Sequence, residues 1–335
     1  MRYRIATFLL AVALIFIAKA GAETITVTTY NVEHFAGHFE AQHLTTRKVA
    51  KESDDAKEMV DIIRTLNDKQ NWATAETILD PKVNPDIIVL QECCNQKDLE
   101  YFNKRWLKGA YEFVNVFPSN SERDQFVAMM IKPGFKVLQK DDQYYLEKDT
   151  GKNDRGDRLF ARGPAFVKIQ SPGGYVFWVG TNHMKSKRGN DAEVTAWRNR
   201  EAVRCHQLMV EHSKAGPSDL IFLGDMNDEY GLDGEFEKNN GGDSIANILG
   251  PESDGFVLAT KPLLAKGEIS FGGYWRSDFR SFIDHVFVSP TLSKKVKDVS
   301  VFQDKLAPIS SDHYPVTVKI EATPEMPAEL RNAMP

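Results

Sequence analysis

Apolar positions along this chain recur with two periods, and the period changes from segment to segment. In the run 315–320, "PVTVKI", Val316, Val318 and Ile320 alternate with Thr317 and Lys319, a pattern that predicts a strand with one buried and one wet face. Short β-branched or aromatic runs predict further strands at 24–30, 86–90, 126–131, 165–169, 175–180, 220–223 and 282–288. Between them Ala56, Met59, Val60, Ile63 and Leu66 recur at helical spacing, as do Leu99, Phe102 and Trp106, and residues 191–213 read as a helix charged on its outer face. The "SPGG" at 171–174 predicts a hairpin turn. Strands alternate with helices and no Pro-rich or Gly/Ser linker intervenes, so a single α/β domain is expected over 23–322, followed by a tail at 323–335.

The first 22 residues follow another rule. Arg2 and Arg4 precede an apolar run over 5–18, and Ala18, Ala20 and Ala22 supply the small side chains of a cleavage site, so an export signal and a secreted or periplasmic protein are expected. The run is short of the roughly 20 apolar residues that span a bilayer, which argues against a stable membrane anchor. Removing residues 1–22 takes away Arg2, Arg4 and Lys19 and no acid, moving the formal net charge from −5 to −8. So acidic a protein does not hold polyanions by its overall field, and any phosphate substrate must be met by local cations or bound metal. With 335 residues, 42% of them hydrophobic, a full core is expected. Three thiols, two of them adjacent at Cys93 and Cys94, exclude a disulfide framework. A monomer is expected.

Polar residues collect where the predicted strands end. Asn31 closes "TTYN", Gln91 and Glu92 close "DIIVLQE", Asn182 and His183 close "FWVGTNH", and Asp225 and Asn227 follow the apolar run of "IFLGDMND". Asp284 and His285 sit in "FIDHVFV", and Asp312 and His313 stand at the mouth of the 315–320 run. Any one of these is ordinary turn chemistry. Five or six strands delivering carboxylate, amide and imidazole to one rim predict a site.

In this order the motifs "YNV", "LQE", "ARGPAFVKI", "TNH", "GDMND", "FIDHVFV" and "SDHYPV" resemble the endonuclease/exonuclease/phosphatase superfamily, most closely the deoxyribonuclease I type, over Asn31 to Ile320. The resemblance implies two packed mixed β-sheets flanked by helices, a four-layer α/β sandwich. It also implies metal-dependent hydrolysis of phosphate esters, usually with Mg2+, for which Mn2+ can substitute. Magnesium prefers one or two carboxylates and several waters, and Glu92 with Asn31 meets that demand, Asp312 assisting. By the same resemblance Asp225 and Asn227 orient the attacking water and the scissile phosphate. His313 faces that water as base or imidazolium, with Asp284 fixing its tautomer. Arg162 and His183 hold the phosphate from the other side, with Asn182 beside them. The family's glutamate partner to this second histidine has no clear equivalent in "SERDQFVAMMIKP", where Asp124, Glu122 and Gln125 are the candidates.

A nucleic acid is the expected substrate. The alternatives are a phosphatase or a sphingomyelinase-type phospholipid phosphodiesterase, for which Tyr274 and Trp275 would meet the lipid surface, and a binding module without turnover. His34, His38 and His43 suggest a zinc site, but a bare His-x3-His in an aromatic loop without a third ligand reads as a surface or substrate-side feature.

Overall fold

The computed structural model describes residues 22–35, 54–121, 125–151, 157–187, 192–231, 243–272, 280–303 and 305–323. The expected export signal, the tail beyond 323, and His38, His43, Glu122, Asp124, Tyr274 and Trp275 lie outside them. No described helix is long and apolar enough to cross a membrane.

In chain order the first elements are β1 (Glu23–Asn31), α1 (Asp54–Leu79), β2 (Ile87–Cys93), α2 (Gln96–Arg105), β3 (Phe113–Val116), β4 (Phe126–Ile131) and β5 (Lys136–Asp141). There follow β6 (Ala165–Gln170), β7 (Val176–His183), α3 (Ala192–Ala215), β8 (Leu220–Asp225), α4 (Ser244–Leu249), β9 (Val257–Leu258) and α5 (Lys261–Ala265). The last are β10 (Phe271–Gly272), β11 (Arg280–Ser281), β12 (Asp284–Val288), α6 (Pro290–Ser293), β13 (Val296–Val301), α7 (Ala307–Ser310) and β14 (Val316–Ala322).

Two six-stranded sheets form, in the orders β13-β14-β1-β2-β4-β3 and β5-β6-β7-β8-β12-β9, with β10 and β11 pairing apart from both. Each is mixed in the same way: β1 runs parallel to β2, β7 runs parallel to β8, and the other pairings are antiparallel.

The period-two alternation explains the layering, because successive side chains of a strand leave on opposite faces. Ile87 and Val89 of β2 pack between the sheets with Val27, Val179, Leu223 and Val318, while Ile88 and Leu90 pack outward with Leu99 and Phe102 of α2. In β8, Ile221 and Leu223 face the other sheet, and Leu220 and Phe222 meet Ala202, Cys205 and Leu208 of α3. The result is helix, sheet, sheet, helix. Local signals agree with this: the Asn95 side chain caps α2 by accepting from the Asp98 N–H, and Lys104 and Arg105 occupy the last turn, where they complement the helix dipole.

Gly224 sits opposite Asn182 in the parallel β7–β8 pair, and a Cβ there would lie 2.0 Å from the Asn182 carbonyl oxygen. Only a glycine lets the two strands close up one residue before Asp225. Gly224→Ala should cost about 3 kcal/mol by overpacking, read as a lower urea midpoint at unchanged slope.

Candidate active site

Parallel neighbours end at the same edge, so β1 and β2 deliver Asn31 and Glu92 from one sheet, and β7 and β8 deliver His183 and Asp225 from the other. β12 returns antiparallel to β8 and sets Asp284 opposite Asp225. The segment before β14 is tied to the end of β1 by the Ser311 hydroxyl, which donates to the Asn31 carbonyl at 2.7 Å and accepts the His313 N–H at 3.0 Å. The resulting cleft of about 550 Å³ is lined by Glu33, Glu92, Arg162, Lys187, Asn227, Phe271, Arg280 and Asp312, among others.

Asp225, only 2% exposed, is the centre of the arrangement. Its Oδ2 accepts from Asn31 Nδ2 at 2.9 Å and lies 3.3 Å from His183 Nε2 and 3.8 Å from His313 Nε2; its Oδ1 accepts the Asn227 N–H at 2.8 Å. Behind His313, Nδ1 stands 2.8 Å from Asp284 Oδ2. Burial works against ionising Asp225, but His183, His313 and the Asn31 amide hold its carboxyl well below the usual range. The two imidazoles part ways. Burial also opposes charge on His313, yet Asp284, Asp225 and Asp312 push it up to about 10. In His183, burial and the nearby Arg162 guanidinium outweigh Asp225 and keep the ring neutral. Its Nδ1 is buried with no hydrogen-bond partner among the described residues.

The opposite wall is acidic. Glu92 Oε2 accepts from the His34 N–H at 3.0 Å and from Gln125 Nε2 at 2.8 Å, while Oε1 stands 3.9 Å from His183 Nε2. Glu33 Oε2 accepts the Asp312 N–H at 3.0 Å. Burial and the Asp312 charge push Glu33 up to about 7, and burial also raises Asp312, with the Glu92 charge adding to that rise against the opposing pull of His313. Three crowded oxygen donors facing one opening suit a hard divalent cation, which would relieve their mutual repulsion. A second group, Asp225, Asp284 and His313, has donor atoms all within 4.8 Å of one another. There His313 already spends Nδ1 on Asp284 and carries charge, which makes a protonated pair the better description than a ligand set.

Most of the residues named from the sequence meet in this cleft, with two differences of role. Asn31 is fully buried, with its amide oxygen on the Glu33 N–H at 3.0 Å and its nitrogen on Asp225, so it braces the Asp225 carboxylate and the Glu33 backbone and faces the opening less than Glu92 does. Asn182 is not brought to the cleft. It precedes His183 on β7 and so points to the other face, where Nδ2 donates to Cys205 Sγ at 3.4 Å on α3. Gln125 reaches Glu92 and Arg162 and not the second histidine. Asp228, next to Asn227, holds Lys187 Nζ at 2.8 Å on the cleft rim.

Sequence reasoning passed over Glu33, for which the parity of 31 and 33 at a strand exit was a usable signal. His34, read from the sequence as a surface or substrate-side feature, lies at the mouth, 61% exposed, 3.7 Å from Glu92. Glu33, His34, Glu92 and Asn227 all have positive φ, four of the six described non-glycine residues that do. Such strained backbone concentrates where side chains must be aimed.

The model of the Endonuclease/Exonuclease/phosphatase family matches residues 28–313. No curated protein matches the chain in sequence. Among solved structures it is similar to truncated TDP2 of Caenorhabditis elegans, at 19% identity over 89% of this chain and 98% of that one, with a TM-score of 0.57. It is also similar to the human nocturnin catalytic domain with bound sulfate anion, at 17% identity over 90% and 98%, TM-score 0.55. A third is a mannosyl-6-phosphatase of Bacteroides thetaiotaomicron VPI-5482, at 17% over 88% and 98%, TM-score 0.54. At these identities the likeness is one of fold.

Proposed function

The chain belongs to the endonuclease/exonuclease/phosphatase family, and from that premise we propose that it is an exported, divalent-metal-dependent phosphodiesterase acting on nucleic acid. The observation that carries the reading is the convergence on Asp225 of His183 and of the Asp284–His313 pair, across the cleft from Glu92.

A phosphodiester resists attack because it is anionic and has a poor leaving group. Glu92, Asp312 and Glu33 would hold magnesium, or manganese in its place, which would supply positive charge to the phosphate and the departing oxygen. The side chains divide the remaining work by charge. Ionised Asp225, fixed by the Asn227 N–H and the Asn31 amide, orients the attacking water and receives its proton. Neutral His183 donates from Nε2 to a phosphate oxygen, and Arg162 adds its guanidinium. Cationic His313 gives the Nε2 proton to the leaving oxygen, and Asp225 at 3.8 Å returns the proton gained from water. Lys187 and Arg280 on the rim suit the flanking phosphates of a polymer, so local cations offset the acidic whole.

The test uses the protein without residues 1–22 on supercoiled DNA, RNA, sphingomyelin and a phosphomonoester, with Mg2+ or EDTA. The expected result is nicking of DNA with Mg2+, abolished by EDTA and restored by Mn2+. Turnover that survives thorough chelation overturns the metal reading. Sphingomyelin cleavage without nicking moves the substrate to lipid, and turnover of the monoester alone moves it to a phosphatase.

A further inference from the structure

Gln125 lies just ahead of β4, where the β2–β4 register shifts between Leu90 and Cys93 and Glu92 takes a φ of 54°. The bulge turns the Glu92 carboxylate toward Gln125, which is 5% exposed. Both ends of its amide are engaged. Nε2 donates to Glu92 Oε2 at 2.8 Å and stands 2.9 Å from His34 Nδ1; Oε1 accepts from Arg162 Nη1 at 3.4 Å. The two principal partners carry opposite charge, and this restricts what can stand between them. A carboxylate could accept from Arg162 but would repel Glu92, whereas a cation could donate to Glu92 but would repel Arg162. A neutral amide satisfies both.

We propose that Gln125 is a positioning residue that couples the two sides of the reaction: it aims the Glu92 carboxylate at the cation and the Arg162 guanidinium at the phosphate. The inference rests on the hydrolase reading above. By standing between Glu92 and Arg162, the amide keeps the acid from collapsing onto the guanidinium, so each charge stays available for its own ligand. Each partner has one further anchor: Arg162 Nη2 donates to the Met184 carbonyl at 2.8 Å, and Glu92 Oε2 accepts the His34 N–H at 3.0 Å.

The test is Gln125→Met, which keeps length and apolar volume and loses both hydrogen bonds. Mn2+ is titrated calorimetrically into the protein without substrate, and kcat, KM and the Tm in EDTA are measured alongside. Removing an outer partner of a ligating carboxylate typically costs 10- to 100-fold, so Mn2+ affinity should fall by about 10-fold, with a parallel fall in kcat/KM and little change in the Tm in EDTA. Should Gln125→Met fold poorly, Gln125→Asn, which withdraws the amide by one methylene, should give the same weakening. Wild-type binding with a variant within about twofold of it overturns the inference alone. A lowered Tm in EDTA with unchanged Mn2+ affinity makes Gln125 a packing residue and also overturns it. A wild-type protein that neither binds Mn2+ nor hydrolyses a phosphate ester overturns the reading of the site, and this inference with it.

Discussion

Asp225→Asn is expected to lower kcat by about 10³-fold while KM changes by less than about tenfold. The carboxylate does several things at once that an amide cannot. It accepts from Asn31 Nδ2 and lies between two imidazoles, and in the proposed mechanism it is the acceptor for the proton of water. An amide placed there presents its own NH2 either to Asn31 and the histidines or to the Asn227 N–H, and it cannot receive the proton. Because the charge is used as the bond to phosphorus forms, the loss falls on turnover. A variant with near-normal kcat would remove Asp225 from the reaction. A fall of similar size in metal affinity, read by Mn2+ titration, would instead make it a ligand.

His313→Ala should lower kcat by about 10²-fold or more, the usual worth of a positioned proton donor. Asp284→Asn should reproduce part of that loss, since the amide still reaches Nδ1 but no longer carries the charge that holds the ring protonated. The informative comparison is the leaving group. On an ester whose departing alcohol is already acidic, such as a nitrophenyl diester, His313→Ala should lose far less than on DNA, because the proton from Nε2 is scarcely needed. Equal losses on both substrates would assign His313 to phosphate binding alone.

The strands that carry the site were legible because they are buried on both faces, and long apolar runs such as those of β2, β4 and β8 admit few other readings. The three longer strands that were not foreseen share the opposite property. β3, β5 and β13 lie toward sheet edges, and β5, "KVLQKD", has no buried residue, so no alternation betrays it. Leu66 helped to announce α1 although it is 58% exposed; helical spacing gave the element without giving its buried face. The polar residues at strand ends do mostly meet in one cleft, but the Asn182–His183 pair was read as a unit where strand geometry sends neighbours to opposite faces. Gln125 and His34 owe their positions to a bulge and to left-handed backbone. Both residues were named from the sequence, but their placement beside Glu92 has no signature in a chain read alone.

The pairing of β1 with β14 has a consequence for the order of synthesis. Glu23 to Thr29 lie against Ala322 to Val316, and the Thr28 and Thr317 hydroxyls meet at 2.8 Å across 289 positions. A growing chain has β1 among its first ordered strands, yet one edge of β1 stays open until the far partner leaves the ribosome, with a long loop to close at that moment. The same late segment brings Ser311, which pins the end of β1, and His313, which completes the proposed proton path. Ribosome-bound chains and abortive products that stop short of residue 311 therefore carry Glu92, His183 and Asp225 without a working reaction centre, and no inhibitor is needed to keep a hydrolase silent while it is being made.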